Sequence, residues 1–343
     1  EKGMDRPRSF LEKCLPDEDE RSFMRAIHEK PDDPAARLIY ADWLEERGDP
    51  RAEFLRVQQA LKSRQSDQEL LSRLEVLRST LLPEWLSMIG DTLARFAPLQ
   101  EEVYRSDRDR GWEPFLKVTS NLGLLDVHYH GDLQNGWGVE RVLDFLKSRE
   151  VAPVLHSLLL DGHEDRSRSN GTLDIDLDCW LAKDLEFPNL ESLATEQGSG
   201  VIIGFYEEEG RIARLLQRCP ALRRLTIPSA PNADFFKLGD HPLEHLNVAA
   251  GYDCQNFMVN LAQASCFPNL KQLAFTDYIE DYMDDFAQRC TPFDHYREFF
   301  QSPIQERLDT ITLREVMLSR QQVDALLSIR SSGVSITRHA QTP

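Results

Sequence analysis

The sequence predicts an α/β fold in which a helical module, residues 1–110, precedes an irregular repeat array, residues 111–343, of parallel strands backed by helices. Two observations lead to this prediction. Apolar residues recur at helical spacing throughout the first part. In the second part a short apolar pattern recurs between helical segments. The chain has 343 residues and is 41% hydrophobic, which is ample material for buried cores.

The first part contains clear helix start and stop signals. Asp33 precedes Pro34, a cap and first-turn pair typical of a helix N-terminus, and Gly48 is placed to end that helix in the left-handed conformation. We expect an apolar stripe to face inward, with the tryptophan as a core anchor: Leu38, Ile39, Trp43 and Leu44. Nearby acidic residues are interpreted as exposed partners of arginines rather than as a catalytic or metal site: Asp42, Glu45, Glu46, Asp49 and Glu53.

The run LIYADWLEERGDPRAEFLRVQ within this part resembles the repeat-companion domain, a short module of planctomycete and myxobacterial proteins. The resemblance covers about residues 20–62. It implies no assigned chemistry. It implies instead an N-terminal module of a bacterial protein that often continues into repeats.

The pattern L-x-x-L-x-L, with apolar exchanges, recurs seven times in the second part. Amphipathic helices are predicted between the copies, at 139–150, 211–219, 256–266 and 319–330. The copies begin at Leu122, Leu155, Leu190, Leu222, Leu243, Leu270 and Leu308. Residues 115–338 therefore resemble leucine-rich repeats of the ribonuclease-inhibitor-like kind, and the resemblance implies a solenoid whose strands line a concave surface.

Strand side chains alternate between two faces, so the positions between the buried leucines of each copy are expected on the concave surface. Solenoids bind partners on such surfaces. The surface is mixed and polar, acidic toward its N-terminal end. The residues predicted to bind a partner are Asp126, His128, Ser157, Asp161, Glu196, Arg224, His245, Asn247, Gln272, Thr276 and Arg314.

The formal net charge is −18, and residues 112–343 contribute most of it, with 21 basic and 34 acidic side chains. A negative field repels phosphate backbones and anionic lipid surfaces and attracts basic proteins. We therefore expect a protein partner, basic in character, with no direct contact to nucleic acid or membrane. A small-molecule ligand is not expected.

A metal-dependent hydrolase is the alternative from a different class. His128, His130 and Asp132 share one side of a predicted strand, and Asp174, Asp176 and Asp178 share one side of another. The two stretches would form a metal site if they met in space. No H-E-x-x-H, EF-hand or G-x-S-x-G motif accompanies them. Structural roles are the simpler interpretation, so no metal, cofactor or catalytic residue is expected.

The sequence thus predicts a non-enzymatic scaffold or adaptor that binds a protein on the concave face of its solenoid, with the helical module as a cap. A narrower alternative is an acidic inhibitor or regulatory subunit of a basic enzyme such as a nuclease. The first ten residues lack the apolar segment of a signal peptide and the six cysteines are scattered, so a cytoplasmic location is expected. Residues 280–303 form an acidic, aromatic insert, either a partner-contact element or a surface insertion.

Overall fold

The structure is a computed structural model that describes residues 9–31, 33–106, 113–132, 137–163, 172–174, 185–197, 202–204, 208–251, 253–277 and 289–339. Within these residues the chain is a mixed α/β protein, in which helices come first and then alternate with the strands of a mostly parallel sheet. Buried apolar side chains form two cores, one ending at Ile89 and the other beginning at Phe96. The cores therefore divide well before the predicted boundary at residue 110.

Short capped helices build the first part. Asp33 accepts a hydrogen bond from the backbone nitrogen of Ala35 at 2.9 Å, and Pro34 follows it in the first turn, as the sequence predicts. Gly48 has a φ of 68°, the left-handed conformation predicted there. The described helices of this part are α1 (Phe10–Cys14), α2 (Glu18–Glu29), α3 (Pro34–Glu45), α4 (Arg51–Ser63), α5 (Gln68–Thr80), α6 (Pro83–Met88) and α7 (Asp91–Ala94).

A buried polar network anchors α3. The Tyr40 hydroxyl donates to Glu20 Oε1 at 2.5 Å and accepts from Trp85 Nε1 at 3.1 Å. Arg51 donates to the same Glu20 oxygen at 2.6 Å. Burial raises the pKa of Tyr40, and its hydrogen bond to Glu20 raises it further. The network ties α2, α3, α4 and α6 together, and each buried polar group in it has a partner, as buried polar groups require.

The predicted apolar stripe of α3 is wrong at Ile39, which is 57% exposed. Trp43 is partly buried and packs against the core of the module, with the Arg47 guanidinium 3.7 Å from its ring centre. Tyr40 and Ala41 take the inward positions instead. The periodicity could not show this, because the inward position of a polar-tipped tyrosine depends on Glu20, which lies on a different helix.

Most described strands of the second part form one open sheet. Its order is β1-β2-β3-β5-β7-β8-β9-β10-β11, so neighbours in the sheet follow chain order, and every pair except antiparallel β1–β2 is parallel. The two remaining strands, β4 and β6, pair separately. The bounds are β1 (Phe115–Asn121), β2 (Leu124–Asp132), β3 (Leu155–His163), β4 (Thr172–Asp174), β5 (Ser192–Gln197), β6 (Ile202–Gly204), β7 (Arg224–Ile227), β8 (His245–Ala249), β9 (Gln272–Thr276), β10 (Thr310–Val316) and β11 (Val334–Arg338).

One face of the large sheet is buried against helices. Leu158, Leu193 and Leu225 align in register on neighbouring strands, and all belong to the apolar core that these helices share. The predicted helices between repeats are present with shorter bounds. Helix α8 (Phe96–Ser106) precedes residue 111 and packs into the same core. The described helices of the second part are α9 (Trp137–Leu146), α10 (Arg211–Gln217), α11 (Phe257–Ala262), α12 (Phe293–Phe300), α13 (Pro303–Arg307) and α14 (Arg320–Ile329). Short 3-10 turns occur at Ala152–Val154 and Ala233–Lys237.

An antiparallel hairpin, which the sequence did not suggest, opens the sheet. Leu122 and Gly123 form its turn with φ of 50° and 92°, the positive values that two-residue hairpin turns favour. The first copy of the repeat therefore begins in a turn. The strand of this copy, β2, pairs with β3 in a register that is shifted by two residues. The repeat spacing would place Leu124 opposite Ser157, whereas the structure places Asp126 there.

The described half of the 280–303 insert packs into the core. Tyr296, Phe299 and Phe300 of α12 are fully buried. The Tyr296 hydroxyl donates to Asp277 Oδ2 at 2.9 Å, and Thr291 donates to Asp277 from its backbone nitrogen and its hydroxyl. The aromatic residues of α12 therefore hold the segment in place after β9. Residues 280–288 lie outside the described residues.

We expect the fragment 111–343 to aggregate, because it lacks the α8 side chains Phe96, Leu99 and Val103 that fill the core beneath the sheet. A fragment that begins at residue 91 keeps α8 and should remain monomeric. Size-exclusion chromatography with a dye that binds apolar surface compares the two. A monomeric, cooperatively unfolding 111–343 fragment would show that α8 is dispensable.

The pKa of Asp277 is raised to about 7 because burial removes the carboxyl from water. The folded protein holds this proton more tightly than the unfolded chain. Its stabilising contribution is therefore complete below about pH 4 and is lost as the pH rises to 7. We expect Asp277→Asn to flatten the stability profile between pH 4.5 and 7, by up to about 1.4 kcal/mol per pH unit. Urea unfolding against pH measures this; exposed Asp294→Asn is the control and should leave the profile unchanged.

Candidate partner-binding face

The second face of the sheet carries three rows of side chains in register, which together we name the open face. All of its described side chains are partly or fully exposed. Row one is Asp126, Ser157, Ser192, Arg224, His245, Gln272 and Thr310. Row two is His128, Leu159, Ala194, Thr226, Asn247, Ala274 and Thr312. Row three is His130, Asp161, Glu196, Ala249, Thr276 and Arg314, with β7 ending before it.

Each residue predicted to bind a partner occupies a position in these rows. The predicted register is wrong for one pair of strands, β2 and β3. The repeat spacing placed Leu124, Asp126 and His128 level with Ser157, Leu159 and Asp161. The structure aligns Asp126, His128 and His130 with those residues instead. His130, considered before only as a metal ligand, therefore joins the face. Glu196 has its place by backbone register, and its side chain lies outside the described part of the chain.

Two histidines converge on one carboxylate at the β2–β3 end of the face. His128 Nε2 lies 3.0 Å from Asp161 Oδ2, and His130 Nδ1 contacts the other carboxylate oxygen. The Phe115 ring stacks on His130 with centroids 5.1 Å apart and meets His128 edge-on at 4.9 Å. Phe115 lies on β1, in the hairpin that the sequence did not reveal, so this neighbour was missed.

A second carboxylate at the same end has its own partners. Asp126 Oδ1 accepts from the Ser157 hydroxyl at 2.5 Å and lies 2.9 Å from His156 Nδ1. The aspartate therefore lies between the serine and the histidine. Neither of these hydrogen bonds is the direct serine–histidine contact that nucleophilic catalysis requires.

The other end of the face is neutral to basic. Arg224 and Arg314 are exposed on β7 and β10. The Arg314 guanidinium lies 3.5 Å from Asn247 Oδ1, across β9, where the row-two residue is the small Ala274. The face is thus acidic with histidines at one end, and it carries one arginine at its centre, on β7, and another at the other end, on β10.

A ladder of alternating charge runs along the edge of the face, at the second position of each repeat. His156, Glu191, Arg223, Glu244, Lys271 and Asp309 are joined in this order by backbone hydrogen bonds of 2.7 to 2.9 Å. Arg223 also pairs with Glu244 at 2.7 Å and approaches Glu191 at 3.9 Å. Sequence reasoning missed the ladder, although its signal was visible as one charged or titratable residue after the first leucine of six consecutive copies.

The proposed metal ligands do not assemble in the described residues. Within that part of the chain no group of three histidine, cysteine, aspartate or glutamate side chains is arranged to hold a metal ion. Asp174 lies on β4, which pairs with β6 outside the large sheet. Asp176 and Asp178 fall outside the described residues, as do the side chains of Asp132 and Asp174.

Two other candidates for chemistry have structural explanations. The acidic residues of the helical module form ion pairs: Arg56 with Asp42 and Glu45, Arg51 with Asp49, and Arg73 with Glu53. The described cysteines are free thiols: Cys14, Cys219, Cys254, Cys266 and Cys290. Burial raises the pKa of the Cys219 thiol to about 12, so this sulfur is a poor nucleophile at neutral pH.

Neither a protein-family model nor a curated protein matches the sequence. Among solved structures, the chain is similar to a protein from Bacteroides fragilis that was determined as a structural genomics target, at 14% sequence identity and a TM-score of 0.35. The match covers 60% of this chain and 73% of that one. A likeness at this level carries no inference about function. In the described residues, no helix is long and apolar enough to cross a membrane.

We expect Arg223→Glu to destabilise the fold by about 1 kcal/mol, because it places three carboxylates side by side in the ladder. Arg224→Glu makes the same charge change one residue along, on the open face, and is the matched control. Thermal unfolding at low salt and at about 1 M NaCl compares them, since salt screens the repulsion. Equal losses of stability in both variants at low salt would show that the alternation of charge does not stabilise the fold.

Proposed function

We propose that this protein is a non-enzymatic binding protein: a helical module of the repeat-companion kind followed by a leucine-rich-repeat solenoid whose open face binds a protein partner. The observation that carries the proposal is the strand order. Eight strands from β2 to β11 pair in parallel and in chain order. The described helices between the strands, such as α9, α10 and α14, contribute buried side chains to the core on one side of the sheet, and the described side chains on the opposite side are partly or fully exposed.

The arrangement supports a solenoid because the repeats from β3 onward contact their neighbours through equivalent positions. The register carries the second leucine of one repeat onto that of the next, as in Leu225, Leu246 and Leu273. Stacked repeats of this kind form extended surfaces that bind other macromolecules. The helical module contributes a separate core at the N-terminal end, in contact with the β1–β2 turn, where the Ser87 hydroxyl donates to the Gly123 carbonyl at 2.5 Å.

The size of the face favours a segment or protruding loop as the bound element. Seven strands at about 4.8 Å spacing, and four residues along each strand at about 3.3 Å, give a planar area of roughly 400 Å². A standard interface buries about 800 Å² on each partner. Row two consists mostly of small or short side chains, such as Ala194, Thr226 and Ala274, so the backbone of a bound segment can approach the sheet closely.

The charge of the face favours a mixed partner over a strongly basic enzyme. Among described residues the face carries Asp126 and Asp161 at one end and Arg224 and Arg314 toward the other. The acidity responsible for the net charge of −18 therefore lies largely elsewhere on the chain. An inhibitor of a nuclease would present an extended acidic surface to its target.

We expect the immobilised protein to capture a partner from the lysate of its own organism, and Ala274→Arg/Thr312→Arg to lose it. Both substitutions place long charged side chains in row two, where they block approach to the sheet. Gln321→Arg/Ala325→Arg adds the same charge to exposed positions of α14 and should retain the partner. Mass spectrometry compares the three eluates. A partner captured equally by all three variants would move the binding site away from the open face.

A further inference from the structure

The two carboxylates at the β2–β3 end of the open face have a defined spacing. Asp126 is level with Ser157, and Asp161 lies four residues further along β3. At about 3.3 Å per residue and about 4.8 Å between strands, the two positions are roughly 14 Å apart. Both side chains are partly exposed, at 42% for Asp126 and 26% for Asp161, so a partner can reach them.

The position between these carboxylates is apolar on β3. Leu159 lies halfway between Ser157 and Asp161 on the same face and is half-buried, with His128 beside it on β2. On the outer side, the face is bounded by the exposed Phe115 ring and by Lys117, which pairs with His128 in register. The pattern along the face is therefore carboxylate, apolar side chain, carboxylate.

We propose that this end of the open face binds an extended segment of a protein partner that carries Arg or Lys at positions i and i+4 and a small apolar residue at i+2. This inference rests on the proposed function. An extended chain also rises about 3.4 Å per residue and alternates its side chains, so i, i+2 and i+4 face the sheet together. The two cations then lie near Asp126 and Asp161, and the apolar residue lies on Leu159.

Histidines also line this end of the open face. His128 and His130 contact Asp161, and His156 contacts Asp126 and approaches Glu191 at 3.7 Å. Among the described residues, Lys117 on β1 and Arg223 beside Glu191 also lie at this end, and Asp132 and Glu196 belong to it by backbone register.

The test uses the full chain and two fluorescein-labelled peptides of identical composition. Ser-Arg-Ser-Ala-Ser-Arg-Ser has the inferred spacing, and Ser-Ser-Ala-Arg-Arg-Ser-Ser does not. Fluorescence anisotropy at pH 8 should show the first peptide binding at least about fivefold more tightly than the second.

Matched variants locate the site. Asp126→Asn/Asp161→Asn should weaken binding of the spaced peptide about tenfold. Asp234→Asn/Asp294→Asn makes the same charge change at exposed, distant positions and should alter it less than about twofold.

Equal affinity of the two peptides, or equal loss in both aspartate variants, would overturn the inference by showing attraction to net charge alone. The lysate capture with row-two variants is independent of these peptides. If the row-two variant loses the captured partner but the two peptides bind equally, only the inferred segment chemistry is wrong. If the row-two variant still captures the partner, the proposed function itself is wrong.

Discussion

The large sheet depends on one constraint: each inner strand must bury every second side chain while its backbone pairs with both neighbours. Leu246 on β8 and Leu273 on β9 meet this constraint together, because they align in register within the shared core. A slip of one residue in either strand would turn its leucines outward and its polar residues inward. The burial of the leucines therefore also decides which side chains the open face presents.

Two buried carboxylates, Glu208 and Glu20, join parts of the chain that the apolar cores alone would not orient. Glu208 accepts hydrogen bonds from the backbone nitrogens of Gly210, Ile212 and Asn232, which links the start of α10 to the loop after β7. Glu20 links three helices of the module in the same way, through Tyr40 and Arg51. Each of these carboxylates has its hydrogen-bond partners only in this arrangement of the chain. The carboxylates therefore favour this arrangement over alternative ones more than they raise the free energy of unfolding.

The sequence revealed what is periodic and missed what depends on distant contacts. The seven leucine motifs and the helices between them were visible because apolar spacing is a local property. The inward turn of Tyr40 depends on Glu20 of another helix, and the offset of the first repeat depends on the turn at Leu122. The burial of Phe299 in the 280–303 insert likewise requires knowing which core is near. For the candidate site, the rows followed from the repeat on every strand except β2, where the register is shifted by two residues and adds His130. Phe115 came from an unforeseen hairpin.

The charge ladder has a consequence for how this chain can change in length over evolution. Its members alternate in sign from Glu191 through Arg223, Glu244 and Lys271 to Asp309. Removing the unit that contains Glu244 would bring Arg223 beside Lys271, and duplicating one unit would place two equal charges together. Loss or gain of two adjacent units preserves the alternation. A change in length by two repeats therefore keeps opposite charges side by side in the ladder, whereas a change by one repeat places like charges together.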